Sequence, residues 1–259
     1  MTQVINEHQK IKYQDYEKRG VENLIIKYEF VLERVKSNSE IRILDIGGAS
    51  GHFAVGLYNY FSGKNCKIIV IDTTQYDTWE EYSDKIIFVK ESVDNLNRLY
   101  TNEYFDLIFV NKAFHHFVAA TWDETIMNIT DIMRQISILI KKDGYLCIAD
   151  HFYNGLFFDV SASKMIYKLT SCKIPLIVKI FRSIDADSAG VGVCFLSRIM
   201  WYKIFEKNNL DIIYIKEGHK LKRNGLKMLI YKICLLIKDT QLNTIIVLKK
   251  RIGYNENIS

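Results

Sequence analysis

The chain has a single proline, Pro175, in 259 residues, and no proline- or glycine-rich linker divides it. Nothing therefore marks a boundary between independent domains, and the length suits one large domain able to bury a full core. Its five cysteines, Cys66, Cys147, Cys172, Cys194 and Cys234, are scattered with no C-x-x-C pair. An odd, unclustered set excludes a disulfide framework and a zinc site, and reads as reduced thiols of a cytosolic protein. Long apolar runs are also missing. Ile174 to Phe181 is broken by Lys179, and no stretch reaches the roughly 20 residues of a spanning helix. The polar segment from Met1 to Gly20 does not read as a secretory signal. No internal repeat or low-complexity tract is present.

Charge is plentiful but unevenly placed. Residues 1–150 carry 17 Lys and Arg against 22 Asp and Glu, whereas the remainder carries 18 against 8. A basic half suits an anionic partner, and it equally suits an ordinary solvated surface.

Apolar periodicity supplies the architecture. Two helical stretches come first, the second with Leu24, Ile25, Tyr28, Val31, Leu32 and Val35 at three- and four-residue spacing. Short β-rich runs follow at Ile41–Ile46, Ile68–Ile71, Ile86–Val89, Phe105–Val110 and Tyr145–Ala149, several of them apolar throughout, as strands buried on both faces are. Helical patterns separate them at Phe53–Tyr60 and Trp122–Ile140, the latter expected to stop before Asp143-Gly144 with glycine as its C-terminal signal. Alternation of this kind predicts an α/β layer with a parallel sheet, whose strand C-termini line one ligand-binding edge. Residues 151–209 break the alternation as a helical, apolar and basic lid. Two further strands are expected at Leu210–Ile215 and Thr244–Lys249, with a helix around Leu226–Lys238 between them.

Leu44-Asp45-Ile46-Gly47-Gly48-Ala49-Ser50-Gly51 joins a strand to a helix through small residues, so a ligand can approach backbone N–H groups there. The spacing is neither G-x-G-x-x-G nor G-x-x-x-x-G-K-[ST], which disfavours NAD and nucleoside triphosphates. Asp72 closes the next strand at the distance where adenosine-binding proteins of this architecture grip ribose hydroxyls.

With these residues in view, the chain resembles the class I S-adenosylmethionine (SAM)-dependent methyltransferases over most of its length. Asp45, Gly47, Ala49 and Gly51 match the acidic and small residues after the family's first strand, with alanine for the usual middle glycine. Asp72 matches the ribose-binding acid. Phe88 to Leu96 resembles the adenine-binding segment, with Ser92 where an aspartate is common. Phe105-Asp106-Leu107-Ile108 with Asn111 and His115-His116-Phe117 resembles the fourth strand and its loop. Leu139 to Leu146 resembles the turn into the fifth strand, without the family's proline. Ser197 to Asn209 resembles the helix entering the sixth strand, with Ser197 as N-cap and Trp201 as an inward anchor.

The resemblance implies a Rossmann-like fold: a mostly parallel seven-stranded sheet flanked by helices, with a helical cap (1–38), a SAM-binding core (39–150), a helical lid (151–209) and C-terminal strands and helix (210–259). It implies SAM as cofactor, held by Asp45, Gly47, Gly48, Ala49, Gly51, Asp72, Thr73, Ser92, Val93, Asn111 and Lys112, with Tyr16 of the cap closing over it, and no metal. SAM supplies the activated methyl, so the protein's task is to orient a nucleophile and remove its proton. Histidine suits that task near neutrality. His115, His116 and His151 fall beside strand ends on the ligand edge, and Asp150 closes the fifth strand. In some sugar O-methyltransferases of the family the first histidine of such a pair works with that acid, which here means His115 and Asp150.

The expected acceptor is a small hydrophobic or amphipathic molecule, with O-methylation favoured. An RNA-modifying activity is disfavoured because Asn111-Lys112-Ala113-Phe114 lacks the Asn/Asp-Pro-Pro-Tyr/Phe of the amino-methylating branches, and no cysteine lies near that loop. A SAM-binding cyclase or regulatory subunit is the other alternative. For the lysine-bearing apolar segments Lys164–Arg182 and Lys220–Lys238, substrate enclosure is preferred to attachment at an anionic membrane surface.

Overall fold

The computed structural model describes residues 7–175, 178, 190–220, 232 and 235–251, and side chains from Gly20 onward. Helix α1 (Glu7–Val35) is continuous, so the two helical stretches expected at the start are one element. It runs through Gly20 without a break.

From there β1 (Ile41–Ile46), α2 (His52–Tyr60), β2 (Cys66–Asp72), the short α3 (Thr78–Tyr82), β3 (Ile87–Lys90), α4 (Leu96–Leu99), β4 (Phe105–Asn111), α5 (Trp122–Leu139) and β5 (Ile140–Gly155) alternate as the pattern predicted. They are followed by α6 (Ser161–Thr170), α7 (Arg198–Lys207), β6 (Leu210–Lys216) and β7 (Ile237–Lys250). The seven strands form one sheet in the order β3-β2-β1-β4-β5-β7-β6. The first five are parallel, and β7 runs antiparallel between β5 and β6. This is the mostly parallel Rossmann-like sheet with flanking helices that was expected.

Each central strand feeds two cores because alternate side chains point to opposite faces. Leu44, Ile46, Ile108, Val110, Leu146 and Ile148 pack against α5 and α7 on one side. Ile41, Ile43, Val70, Leu107, Phe109 and Cys147 pack against α1 and α2 on the other. Helix α5 starts at a capping box, Thr121 accepting from the Glu124 N–H while Glu124 accepts from the Thr121 N–H. Helix α7 is capped by Ser197, whose Oγ accepts from the Met200 N–H, and it seats Trp201 fully inside.

Three expectations are corrected. Helix α5 ends at Leu139, because Ile140 is already extended and pairs with Phe105. Gly144 is therefore a strand residue and not a helix cap. Its glycine is demanded by close approach, since a Cβ there would lie 2.9 Å from the carbonyl oxygens of both Phe105 and Asp106. Strand β5 does not end at Asp150 but runs on to Gly155, paired with β7 throughout. Strand β7 begins at Ile237, so the tail of the helix expected at Leu226–Lys238 is strand, while residues 221–231, 233 and 234 lie outside the described residues.

Candidate active site

The C-terminal ends of β1, β2, β4 and β5 bring the singled-out residues to one edge. After β1 the chain turns back on itself with Gly47 at φ +68°, Ala49 at +44° and Gly51 at +81°. Space as well as torsion requires glycine: a Cβ on Gly51 would lie 2.6 Å from the Phe88 ring, and one on Gly48 2.4 Å from Oδ2 of buried Asp45. Ala49 takes the left-handed conformation at the usual cost for a non-glycine residue, of the order of 1 kcal/mol.

Asp72 fastens this loop from the neighbouring strand. Its Oδ2 accepts from the Ala49 N–H at 3.2 Å, and its Oδ1 accepts from the Thr74 N–H at 2.9 Å. Burial pushes this carboxyl above its ordinary value, and the backbone donors of Thr74, Ala49 and Thr73 pull the other way. An indole that sequence reading passed over completes the loop. Trp79 donates from Nε1 to the Ala49 carbonyl at 2.8 Å and stacks on Phe88 with centroids 4.9 Å apart.

Other expected contacts fall differently. The Ser92 hydroxyl is engaged locally, donating to Asp94 Oδ2 and capping the Asp94 N–H, so it caps the 3-10 turn Val93–Asn95. Val93 is buried in the core. Asn111, the last residue of β4, accepts at Oδ1 from the Tyr28 hydroxyl at 2.8 Å. Its Nδ2 is buried without a hydrogen-bond partner among the described residues. Lys112 takes a left-handed φ of +55°, and its N–H donates to the Ala149 carbonyl, which turns the chain after β4. Tyr16 lies on α1, but its side chain is outside the described residues.

The second half of the edge is a histidine cluster. His115 sits on the 3-10 turn Phe114–His116 that follows β4 and is 8% exposed. Its Nδ1 lies 2.7 Å from Oδ1 of Asp150, which is itself buried. A carboxylate only accepts, so Nδ1 carries the proton that points at Asp150. His115, with some help from His151, holds the Asp150 carboxyl below its ordinary value in spite of burial. His151 has the opposite tautomer. Its Nδ1 accepts from the Asn243 N–H at 2.9 Å, which leaves Nε2 as the protonated nitrogen.

Asp150 and His151 are consecutive strand residues, yet both reach His115. The irregular register between β5 and β7 at Asp150 and Phe152 explains this, because a bulge re-aims one side chain. The rings of His116 and His151 lie 4.2 and 5.9 Å from that of His115. Burial, with repulsion from His115, pushes His116 down to about 3. Burial likewise takes His151 down to about 4, the Asp150 carboxylate offsetting only part of it. Phe195, unremarked in the sequence, covers the cluster, with its ring 4.7 Å from those of His115 and Tyr153. Among the described residues no group of three or more His, Cys, Asp or Glu is placed to hold a metal ion.

This set of residues fits a sulfonium nucleoside. Asp72 lies beside the loop with its carboxylate oxygens able to accept more than one hydrogen bond each, as a pair of vicinal hydroxyls requires. Asn111 keeps an amide donor at the same edge.

Comparison with known proteins agrees. A family model described as a methyltransferase domain matches residues 17–215. The uncharacterized methyltransferase YcgJ of Bacillus subtilis (strain 168) is 22% identical over 194 residues, covering 73% of this chain and 69% of that protein. Among solved structures, geranyl diphosphate C-methyltransferase of Streptomyces coelicolor A3(2) superposes with a TM-score of 0.53 at 11% identity, over 87% of this chain and 78% of its own. The [4+2]-cyclase SpnF gives 0.53 at 12% identity, over 87% and 80%. At such identities these two structures bear on the fold alone. Family model, curated relative and glycine loop together place this chain in the class I methyltransferase family, whose methyl donor is S-adenosylmethionine.

Proposed function

We propose that this methyltransferase moves a methyl group from SAM to a hydroxyl oxygen of a small hydrophobic or amphipathic acceptor, with His115 as general base. The observation that carries the reading is the buried His115–Asp150 hydrogen bond, which points the Nδ1 proton at Asp150 and leaves Nε2 to serve as the base. When bound, SAM supplies an activated methyl, and the transfer is an in-line displacement. Asp45, Gly47, Gly48, Ala49, Gly51, Asp72, Thr73, Asn111 and Lys112 surround the donor. Asp72 takes the ribose hydroxyls, and Asn111 Nδ2 meets a donor-side acceptor.

On the acceptor side, His115 Nε2 receives the hydroxyl proton while Asp150 stabilises the imidazolium that forms. His151, neutral at working pH, offers an Nε2–H to orient the acceptor oxygen. The depressed His116 is a wall of the site and not its base. The apolar rings of Phe195 and Tyr153, with α6 beyond them, favour a hydrophobic acceptor. Geranyl diphosphate, the ligand of the Streptomyces coelicolor structure, is an acceptor of that general kind.

Incubating the protein with isotopically methyl-labelled SAM and a cell extract, followed by mass spectrometry of the small-molecule and RNA fractions, tests the reading. Label in an ether of low molecular mass is the expected result. Label confined to RNA refutes the acceptor class. SAM binding with no labelled product turns the reading toward other chemistry on this fold, of which the [4+2]-cyclase SpnF is an example.

A further inference from the structure

Strand β5 overruns the sheet edge. Its partner β4 ends at Asn111 opposite Ala149, whereas β5 continues for six residues more, Asp150 to Gly155, paired with β7 alone. At strand rise this carries the chain about 20 Å past the edge that holds the site. There it makes a tight turn bearing Leu156, Phe157 and Phe158, which are 42%, 73% and 74% exposed. Two adjacent phenylalanines this open are costly in water.

The turn is built and not slack. The Leu156 N–H donates to the Leu236 carbonyl at 2.7 Å, and the Ser161 N–H and hydroxyl both donate to the Phe158 carbonyl, at 3.0 and 2.7 Å. Gly155 is obligatory, because a Cβ there would lie 1.9 Å from Phe158 O. Asp159, the one carboxylate of the turn, is drawn inward to accept from the Ser197 hydroxyl.

The sequence that follows the phenylalanines carries one sign of charge. Residues 160–183 hold five Lys or Arg and no Asp or Glu. Of these, Lys164 and Lys168 on α6 and Lys173 after it are exposed, with Ile174 56% exposed next to Lys173. The opposite face of α6 is already used: Ala162 and Ile166 pack with Tyr153, Val193 and Phe195. The exposed aromatics thus stand free of the core, as do Lys168 and Lys173, while Lys164 lies over the Trp122 ring, 4.4 Å from its centroid.

We propose that the Leu156-Phe157-Phe158 turn and the lysines of α6 dock the protein on an anionic membrane surface, with the rings entering the interface and the lysines meeting lipid phosphates and carboxylates. A protein partner would also bury phenylalanines, but three exposed lysines following them, with Asp159 turned to Ser197 and Asp239 taken by Asn154, match an anionic plane better. The proposal stands apart from the reaction assigned above, because it is read without any acceptor.

Co-sedimentation of the full chain with vesicles of phosphatidylcholine, and with vesicles of phosphatidylcholine and phosphatidylserine in equal parts, tests it. The protein pellets with the second kind at low salt and is released as salt approaches about 0.5 M. Phe157→Ser with Phe158→Ser weakens that binding about tenfold or more. Lys164→Gln, Lys168→Gln and Lys173→Gln together abolish the preference for phosphatidylserine. SAM affinity stays at the wild-type level in both variants, which shows them folded and separates this result from a failure of the functional reading. In Phe158→Trp, the new indole fluorescence shifts to the blue on adding the anionic vesicles. Absence of pelleting, undiminished binding of the phenylalanine variant, or an unshifted indole overturns the proposal. So does a concentration-dependent dimer that the phenylalanine variant dissolves, which would make the turn a contact between copies of the chain.

Discussion

Lowering the pH from about 7 to about 5 destabilises this protein through two histidines that stay neutral when folded. His116 and His151 are held down to about 3 and about 4, whereas an unfolded histidine titrates near 6.5. Between those values the unfolded chain binds more protons than the folded one, so stability rises with pH across the window and is lost as pH falls through it. Each imidazole picks up nearly a full proton on unfolding at pH ~5, which costs on the order of 2 kcal/mol per histidine relative to pH ~7. Asp150 leaves this window untouched: its carboxyl is held below 3.8, and the stability it adds is lost only at lower pH. Urea unfolding at the two pH values measures the difference directly. His116→Gln should remove about half of the loss. His151→Asn should remove the rest while keeping an oxygen to accept from the Asn243 N–H. Equal wild-type stability at both pH values, or an undiminished loss in the double variant, refutes the neutral state of these half-buried rings.

Two other perturbations probe the donor side. Asp72→Ala removes the acceptor of the Ala49 and Thr74 N–H groups together with the proposed ribose contact, and calorimetry should show SAM affinity about 10²-fold weaker; unchanged affinity contradicts the assignment. Gly51→Ala puts a Cβ against the Phe88 ring at a φ of +81°, and denaturant unfolding should register a loss of about 1–3 kcal/mol.

Much of this arrangement was legible in the sequence because its determinants are local. The run Ile41–Ile46 into Gly47-Gly48-Ala49 carries its own strand and turn signals, and Asp72 ends an apolar strand. The pairing of His115 with Asp150 was readable from the strand order that the family resemblance supplied. What escaped depends on partners far along the chain. Gly144 looked like a helix cap because its real constraint, the carbonyls of Phe105 and Asp106, lies on another strand. Trp79 grips Ala49 from 30 residues away, and Phe195 reaches the histidines from beyond α6. The overrun of β5 was hidden because it pairs with β7, which comes about 90 residues later in the chain. Ser92 was placed by motif position, whereas its hydroxyl is taken by Asp94, two residues on.

The central claim, that His115 removes the acceptor's proton while SAM is held elsewhere along the edge, meets its most direct test in one comparison. Labelled-methyl turnover into the acceptor recovered from extract should be measured for wild type and His115→Ala at matched SAM occupancy. The account predicts a loss of ~10²-fold or more in turnover with SAM affinity unchanged. Full turnover by His115→Ala would contradict it and leave positioning alone to drive the transfer.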